Sequence, residues 1–135
     1  MSYSPIIPFL RYRDVQAAHD WLAKAFGMES LDTTVIDGQM VHAELGWRGK
    51  AAVQLGGPRD DGAVIMKSPL DLPGTNQGVY IYVGEGDEVD EHFKRAVEAG
   101  ADVVYEPRQE VYGARGCGVK DPEGHYWAFG SYKPN

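Results

Sequence analysis

Two stretches of this 135-residue chain share one frame: an aspartate opens a helix-like segment and a glycine closes it at the same interval, Asp14 to Gly27 and Asp87 to Gly100. Aspartate is a preferred N-cap because its carboxylate accepts hydrogen bonds from N–H groups that the first helical turn leaves unpaired. Glycine suits the other end, where the chain leaves the helix in a left-handed conformation. Inside the first frame Ala18, Trp21, Leu22, Ala25 and Phe26 fall at helical spacing, and inside the second Val89, Phe93, Ala96 and Val97 do so. Strand-like segments flank both. Residues 5–13 precede the first helix and 29–36, 40–47 and 51–56 follow it; residues 77–83 precede the second, and 102–106, 115–120 and 126–132 follow. Pro5 and Pro8 suit the start or edge of a sheet. Asp37-Gly38 is a hairpin signal, and Asp121-Pro122-Glu123-Gly124 has the residue order of a type I turn. The chain therefore spells strand, helix, three strands, twice over. Residue identities agree poorly between the halves, so it is the pattern that repeats. Between them, residues 57–76 carry three prolines and no clear period; they read as a connecting loop, with Val64-Ile65-Met66 as a short strand or anchor.

Charge narrows the partners. With 20 acidic and 13 basic residues the formal net charge is −7, and the basic residues are scattered, which argues against nucleic acid or an anionic membrane. No apolar run is long enough to span a bilayer, and the N-terminus does not read as a signal peptide. The lone Cys117 has no partner for an internal disulfide, so a reducing cytoplasm is the expected compartment. No glycine cluster has P-loop or dinucleotide spacing.

Tyr112-Gly113-Ala114-Arg115, followed by Asp121-Pro122-Glu123-Gly124-His125-Tyr126-Trp127-Ala128-Phe129, resembles the closing segment of vicinal oxygen chelate proteins. The Tyr-Gly-x-Arg and Gly-His-x-Trp combination is most similar to their bleomycin-resistance-like or PhnB-like branch. Arg13-Asp14-Val15, Ala25-Phe26-Gly27, His42-Ala43-Glu44-Leu45 and Ala99-Gly100-Ala101 extend the resemblance over nearly the whole chain. It implies an α+β fold: a single domain, residues 1–135, of two βαβββ modules (1–56 and 77–135). Their curved mixed sheets would form a cup, usually completed by a homodimer. The superfamily includes glyoxalase I, extradiol dioxygenases, fosfomycin-modifying enzymes and antibiotic-binding proteins. The positions that carry its divalent-metal ligands fall here on Ile7, Gly78 and Ala128, whose side chains cannot bind a metal, and on Gln54, a poor ligand alone. No cofactor is expected at the usual place.

Strand alternation sorts the faces. Val79, Ile81 and Val83 form an apolar face, which leaves Tyr80 and Tyr82 on the other. Ala43 and Leu45 suit the core, leaving His42 with Glu44; Val53 and Leu55 leave Gln54; Trp127 and Phe129 leave Tyr126 and Ala128. An aromatic wall with a few polar groups suits a small-molecule site. His42-x-Glu44 reads as half of a relocated metal site, as a base with its orienting carboxylate, or as a structural pair. Arg115 reads as a clamp for an anionic ligand or as a salt-bridge partner of Glu110 or Asp121. Tyr112 reads as a rim or a core tyrosine, and Trp47 as reaching a ligand or a dimer interface. His125 is expected to stabilise its hairpin, His19 and His92 to be solvent-exposed, Cys117 to be buried filler, and Trp21 and Trp127 to be core.

Three functions follow from these readings. One is a metal-independent binding protein that holds an aromatic or cationic compound, such as an antibiotic, in a cup at a dimer interface; the acidic balance suits a cation. Another is a lyase, isomerase or dioxygenase with a metal relocated to His42 and Glu44. The third is a metal-free enzyme with His42 as general base.

Overall fold

A computed structural model of the chain describes residues 6–134. The chain divides into two compact units, Met1–Gly74 and Thr75–Asn135.

The first unit holds β1 (Phe9–Arg11), α1 (Val15–Phe26), β2 (Glu29–Ile36), β3 (Gln39–Trp47) and β4 (Lys50–Gly56). Its sheet runs β1-β4-β3-β2, with β1 parallel to β4 and the other pairs antiparallel. The expected strand 5–13 shortens to β1, and Pro5 lies outside the described residues. Pro8, which has no N–H to donate, contributes only its carbonyl, to Gln54 N at 3.0 Å. Asp14 caps α1 by accepting from Ala17 N at 3.0 Å, and Gly27 ends it at φ 78°. Val15, Ala18, Leu22, Ala25 and Phe26 are buried, on the side that faces Leu10, Ala43, Leu45, Val53 and Leu55 of the sheet. Trp21, expected in the core, is half-buried with its ring edge-on to Phe26 at 5.1 Å. Val15 completes the buried stripe in its place. Both hairpin tips, Asp37-Gly38 and Arg48-Gly49, have two consecutive positive φ values, the type I′ geometry that matches strand twist. Replacing Asp14 by alanine should cost about 1 kcal/mol of unfolding free energy, measured by denaturant titration, since one N-terminal N–H loses its acceptor.

The expected connecting loop is more ordered than its composition suggests. Within it β5 (Arg59–Asp60) pairs with β6 (Ile65–Met66), and the Asp61 carboxylate accepts from Ala63 N and Val64 N to close the ribbon's turn. A short 3-10 turn, Pro69–Asp71, follows; Asp71 pairs with Arg13, just ahead of α1.

The second unit repeats the order: β7 (Gly78–Tyr82), α2 (Gly86–Glu98), β8 (Asp102–Gln109), β9 (Arg115–Lys120) and β10 (Tyr126–Gly130). The sheet runs β7-β10-β9-β8, with β7 parallel to β10. Each parallel pair is joined through a crossover that contains the helix, as parallel strands require. The two units are thus βαβββ modules with mixed four-stranded sheets. Asp87 does not cap α2. Glu85 does, in a capping box with Glu88, whose carboxylate takes Glu85 N at 2.8 Å, and Asp87 joins the first turn, where the helix dipole favours negative charge. Val97, expected in the core, is exposed, because the buried stripe of α2 runs through Val89 and Ala96. His92 is half-buried, 6.0 Å from the Phe129 ring, instead of exposed. His19 is also largely covered, between Asp20 and Ser30.

At the closing hairpin, buried Asp121 accepts from Glu123 N, His125 N and the Trp127 indole N–H. At His125 it is the backbone N–H that serves the turn. Cys117 is buried, and burial pushes its thiol up to about 11, so it stays protonated and inert. Among the described residues no helix is long and apolar enough to cross a membrane.

Candidate functional site

The residue alternation of β3 and β4 puts Ala43, Leu45, Val53 and Leu55 under α1 and leaves His42, Glu44 and Gln54 half-buried on the open face. Register sets them in two rows across the sheet. Arg11, Gly56, His42 and Thr34 form one, and Phe9, Gln54, Glu44 and Asp32 the other. His42 Nε2 lies 3.6 Å from Glu44 Oε1, and Gln54 Nε2 donates to the same oxygen at 3.5 Å. The expected trio therefore meets.

A cavity of about 220 Å³ opens beside it, lined by Phe9, Arg11, His42, Gln54, Leu55, Gly56 and Arg59. A larger one of about 780 Å³ shares Arg11 and Arg59 and adds Arg13, Asp14 and the 38–41 hairpin. Arg11, Arg59 and Phe9 were not anticipated as site residues. Alternation along residues 9–12 signals Phe9 and Arg11, since Leu10 and Tyr12 are buried between them. No local signal brings in Arg59, which arrives with the β5–β6 ribbon.

The open face of the second unit is different in kind. It is a layer of tyrosine rings over glycines. A side chain at Gly118 would begin 2.6 Å from Tyr105 Cε1 and 2.8 Å from Tyr126 Oη; one at Gly130 would begin 2.7 Å from Tyr80 Oη; and one at Gly78 would begin 2.7 Å from Tyr126 Cδ2. Tyr105 hydrogen-bonds to Tyr126, and its own burial is the larger cause that holds its phenol well above the usual range. Tyr80 donates to Tyr132 O at 2.6 Å, and burial raises its phenol too. Tyr112 sits on an exposed turn with Tyr132 edge-on at 5.6 Å. Tyr82 shares the parity of Tyr80 and is half-buried. Tyr105 and Tyr132 were missed; strand parity against Gly118 was the available signal for Tyr105.

Two expected residues stand apart from these groups. Arg115 has the strand parity of buried Cys117 and Val119, so it faces α2. There Asp90, not Glu110 or Asp121, holds it through two hydrogen bonds of 3.0 and 2.8 Å and raises its pKa. Trp47 lies five residues along β3 from His42, about 16 Å at strand rise, under the guanidinium of Arg48.

Ile7, Ala128 and Gly78 bring no ligand atom, and the Tyr126 ring fills the space a side chain at position 78 would need. Among the described residues no three His, Cys, Asp or Glu side chains gather in a way that could hold an ion. His42 and Glu44 lie side by side next to the Gln54 amide, and Arg11 and Arg59 share the smaller cavity with His42.

Residues 6–129 match the family described as the Glyoxalase/Bleomycin resistance protein/Dioxygenase superfamily. An uncharacterized protein of Mycobacterium bovis is 35% identical over 126 residues, covering 91% of this chain and 80% of that one. The crystal structure of TioX from Micromonospora sp. ML1 superposes with a TM-score of 0.71 at 30% identity over 98% of both chains. A glyoxalase-related enzyme from Fulvimarina pelagi shares the fold, with a TM-score of 0.76 at 18% identity over 94% of this chain and 86% of that one.

Proposed function

Because this chain belongs to the Glyoxalase/Bleomycin resistance protein/Dioxygenase superfamily, we propose that it binds a small aromatic molecule on the open faces of its sheets, without a metal, as a homodimer. Members of this superfamily bind small molecules. The observation that carries the reading is the tyrosine layer of the second unit. Rings held over glycine backbone, with Tyr80, Tyr112 and Tyr132 still exposed, offer flat apolar surface together with hydroxyls that fix orientation. The first unit presents polar groups of its own on its open face, His42, Glu44 and Gln54. The cationic ligand that net charge suggests finds less support, because arginines border the cavities. A lyase, isomerase or dioxygenase with a metal at His42 and Glu44 finds no third His, Cys, Asp or Glu beside them among the described residues, only the neutral amide of Gln54.

Two measurements test this reading. Protein purified without chelator should contain no stoichiometric metal, and bound zinc, nickel, manganese or iron would overturn metal independence. A thermal-shift screen of aromatic compounds should return ligands that raise the melting temperature, since they bind only the folded state. Against a ligand bound on the first unit, His42→Ala should weaken affinity about tenfold while the melting temperature of the free protein stays unchanged. A destabilised variant with unaltered affinity would show that His42 is structural. Light scattering should give twice the chain mass.

A further inference from the structure

We propose that the adjoining cavities of the first unit form a site for an organic anion, a carboxylate or phosphoryl group carried on an apolar body. This inference rests on the small-molecule reading above and specifies the charge of a ligand on the first unit.

The charge distribution is the opposite of the chain as a whole. Acidic residues outnumber basic ones by 20 to 13 overall. Yet the smaller cavity is lined by Arg11 and Arg59, with His42, and by no carboxylate. The larger adds Arg13 and one carboxylate, Asp14, which is committed to capping α1. The carboxylates that orient Arg13 and Arg59, Asp71 and Asp61, do not line either cavity. A bidentate pair uses two of the five N–H donors of a guanidinium, so each arginine keeps capacity for a second acceptor.

The sheet is shaped around one of these cations. A side chain at Gly56 would begin 2.5 Å from Arg11 Nη1, so the guanidinium occupies the space this glycine leaves. Gly56 is the register partner of Arg11 on one side and of His42 on the other, which brings both donors to one hollow. Arg11 is steadied by donating to Gly57 O at 3.2 Å and by the Phe9 ring at 5.3 Å. Burial, and secondarily the charge of Arg59, lowers its pKa. The partly buried guanidinium of Arg11 is repelled by the exposed one of Arg59, and an anion placed between them relieves that repulsion. Exposed Phe9 and Val41, with Met40, supply apolar surface for the rest of the ligand. The larger cavity falls within the roughly 300–1,000 Å³ typical of ligand pockets.

The test is a nitrogen-15 NMR titration with four probes of similar shape: benzoate, phenyl phosphate, benzamide and benzylamine. Benzoate or phenyl phosphate should shift the Gly56 and Gly57 amides and the Arg11 Nε–H, and the tighter of the two identifies the anionic group. Benzamide should bind about tenfold more weakly, and benzylamine should leave these signals in place. Arg59 is exposed, so Arg59→Gln should melt as the wild type does and lose about tenfold in affinity for the anion. Benzamide equal to both anions would overturn the charge assignment while leaving small-molecule binding intact. Benzylamine bound as tightly as benzoate, no response to either anion at millimolar concentration, or an Arg59→Gln variant of full affinity would each overturn it as well.

Discussion

Trp127→Ala should lower the unfolding free energy by about 3 to 5 kcal/mol, the largest single-site loss expected in this chain. The indole is completely buried among the apolar residues beneath α2, including its register partners Val119 and Val79. Truncation removes that buried surface and leaves a void that a rigid sheet cannot close. It also takes the N–H that reaches Asp121 Oδ2 at 3.0 Å. Asp121 is itself buried, so a carboxylate oxygen would lose its donor where water has little access. Trp127→Phe separates the two contributions. It keeps most of the apolar bulk and lacks the donor, and should cost about 1 to 3 kcal/mol. Denaturant titration of both variants measures this ladder. Wild-type stability in Trp127→Ala would place the indole outside the core.

Gly118→Val should cost about 1 to 3 kcal/mol and abolish aromatic binding on the second unit. Valine favours strands, which offsets a little of the loss. Its first side-chain carbon, however, would fall 2.6 Å from Tyr105 Cε1 and 2.9 Å from Tyr126 Cε1. Both contacts are rigid ring atoms, so the two phenols must swing away together. That movement exposes Tyr105 and breaks its hydrogen bond to Tyr126, the two main causes of its raised pKa. Alkaline titration followed by phenolate absorbance should therefore show one tyrosine ionising at lower pH than in the wild type. A variant with unchanged titration and unchanged ligand affinity would mean that the rings do not depend on the glycine.

Much of this arrangement is legible in the sequence where the governing physics is local. Asp14, Gly27 and Asp37-Gly38 act through their own backbone, and each does what its residue type predicts. The faces of β3, β4, β7 and β10 follow from the two-residue period of a strand, so His42, Glu44, Gln54, Tyr80 and Tyr126 fall where alternation puts them. Competing local choices are harder. Asp87 is the better cap by type, yet the reciprocal Glu85 and Glu88 pair satisfies two N–H groups together. Non-local assembly is least visible. Arg115 meets Asp90 across 25 positions, and Arg11 meets Arg59 only because β1 lies parallel to β4.

Among the described residues the outer strands β2 and β8 each pair on one side only, and both present branched apolar side chains: Val35 and Ile36 on one, Val103 and Val104 on the other. Such ribbons invite fibre growth by adding copies end on end. Here each is broken by two register shifts, and β8 also contains Pro107, which has nothing to donate to an incoming backbone. The irregularities deny a template for amyloid-like stacking, so the chain is expected to stay unpolymerised at high concentration.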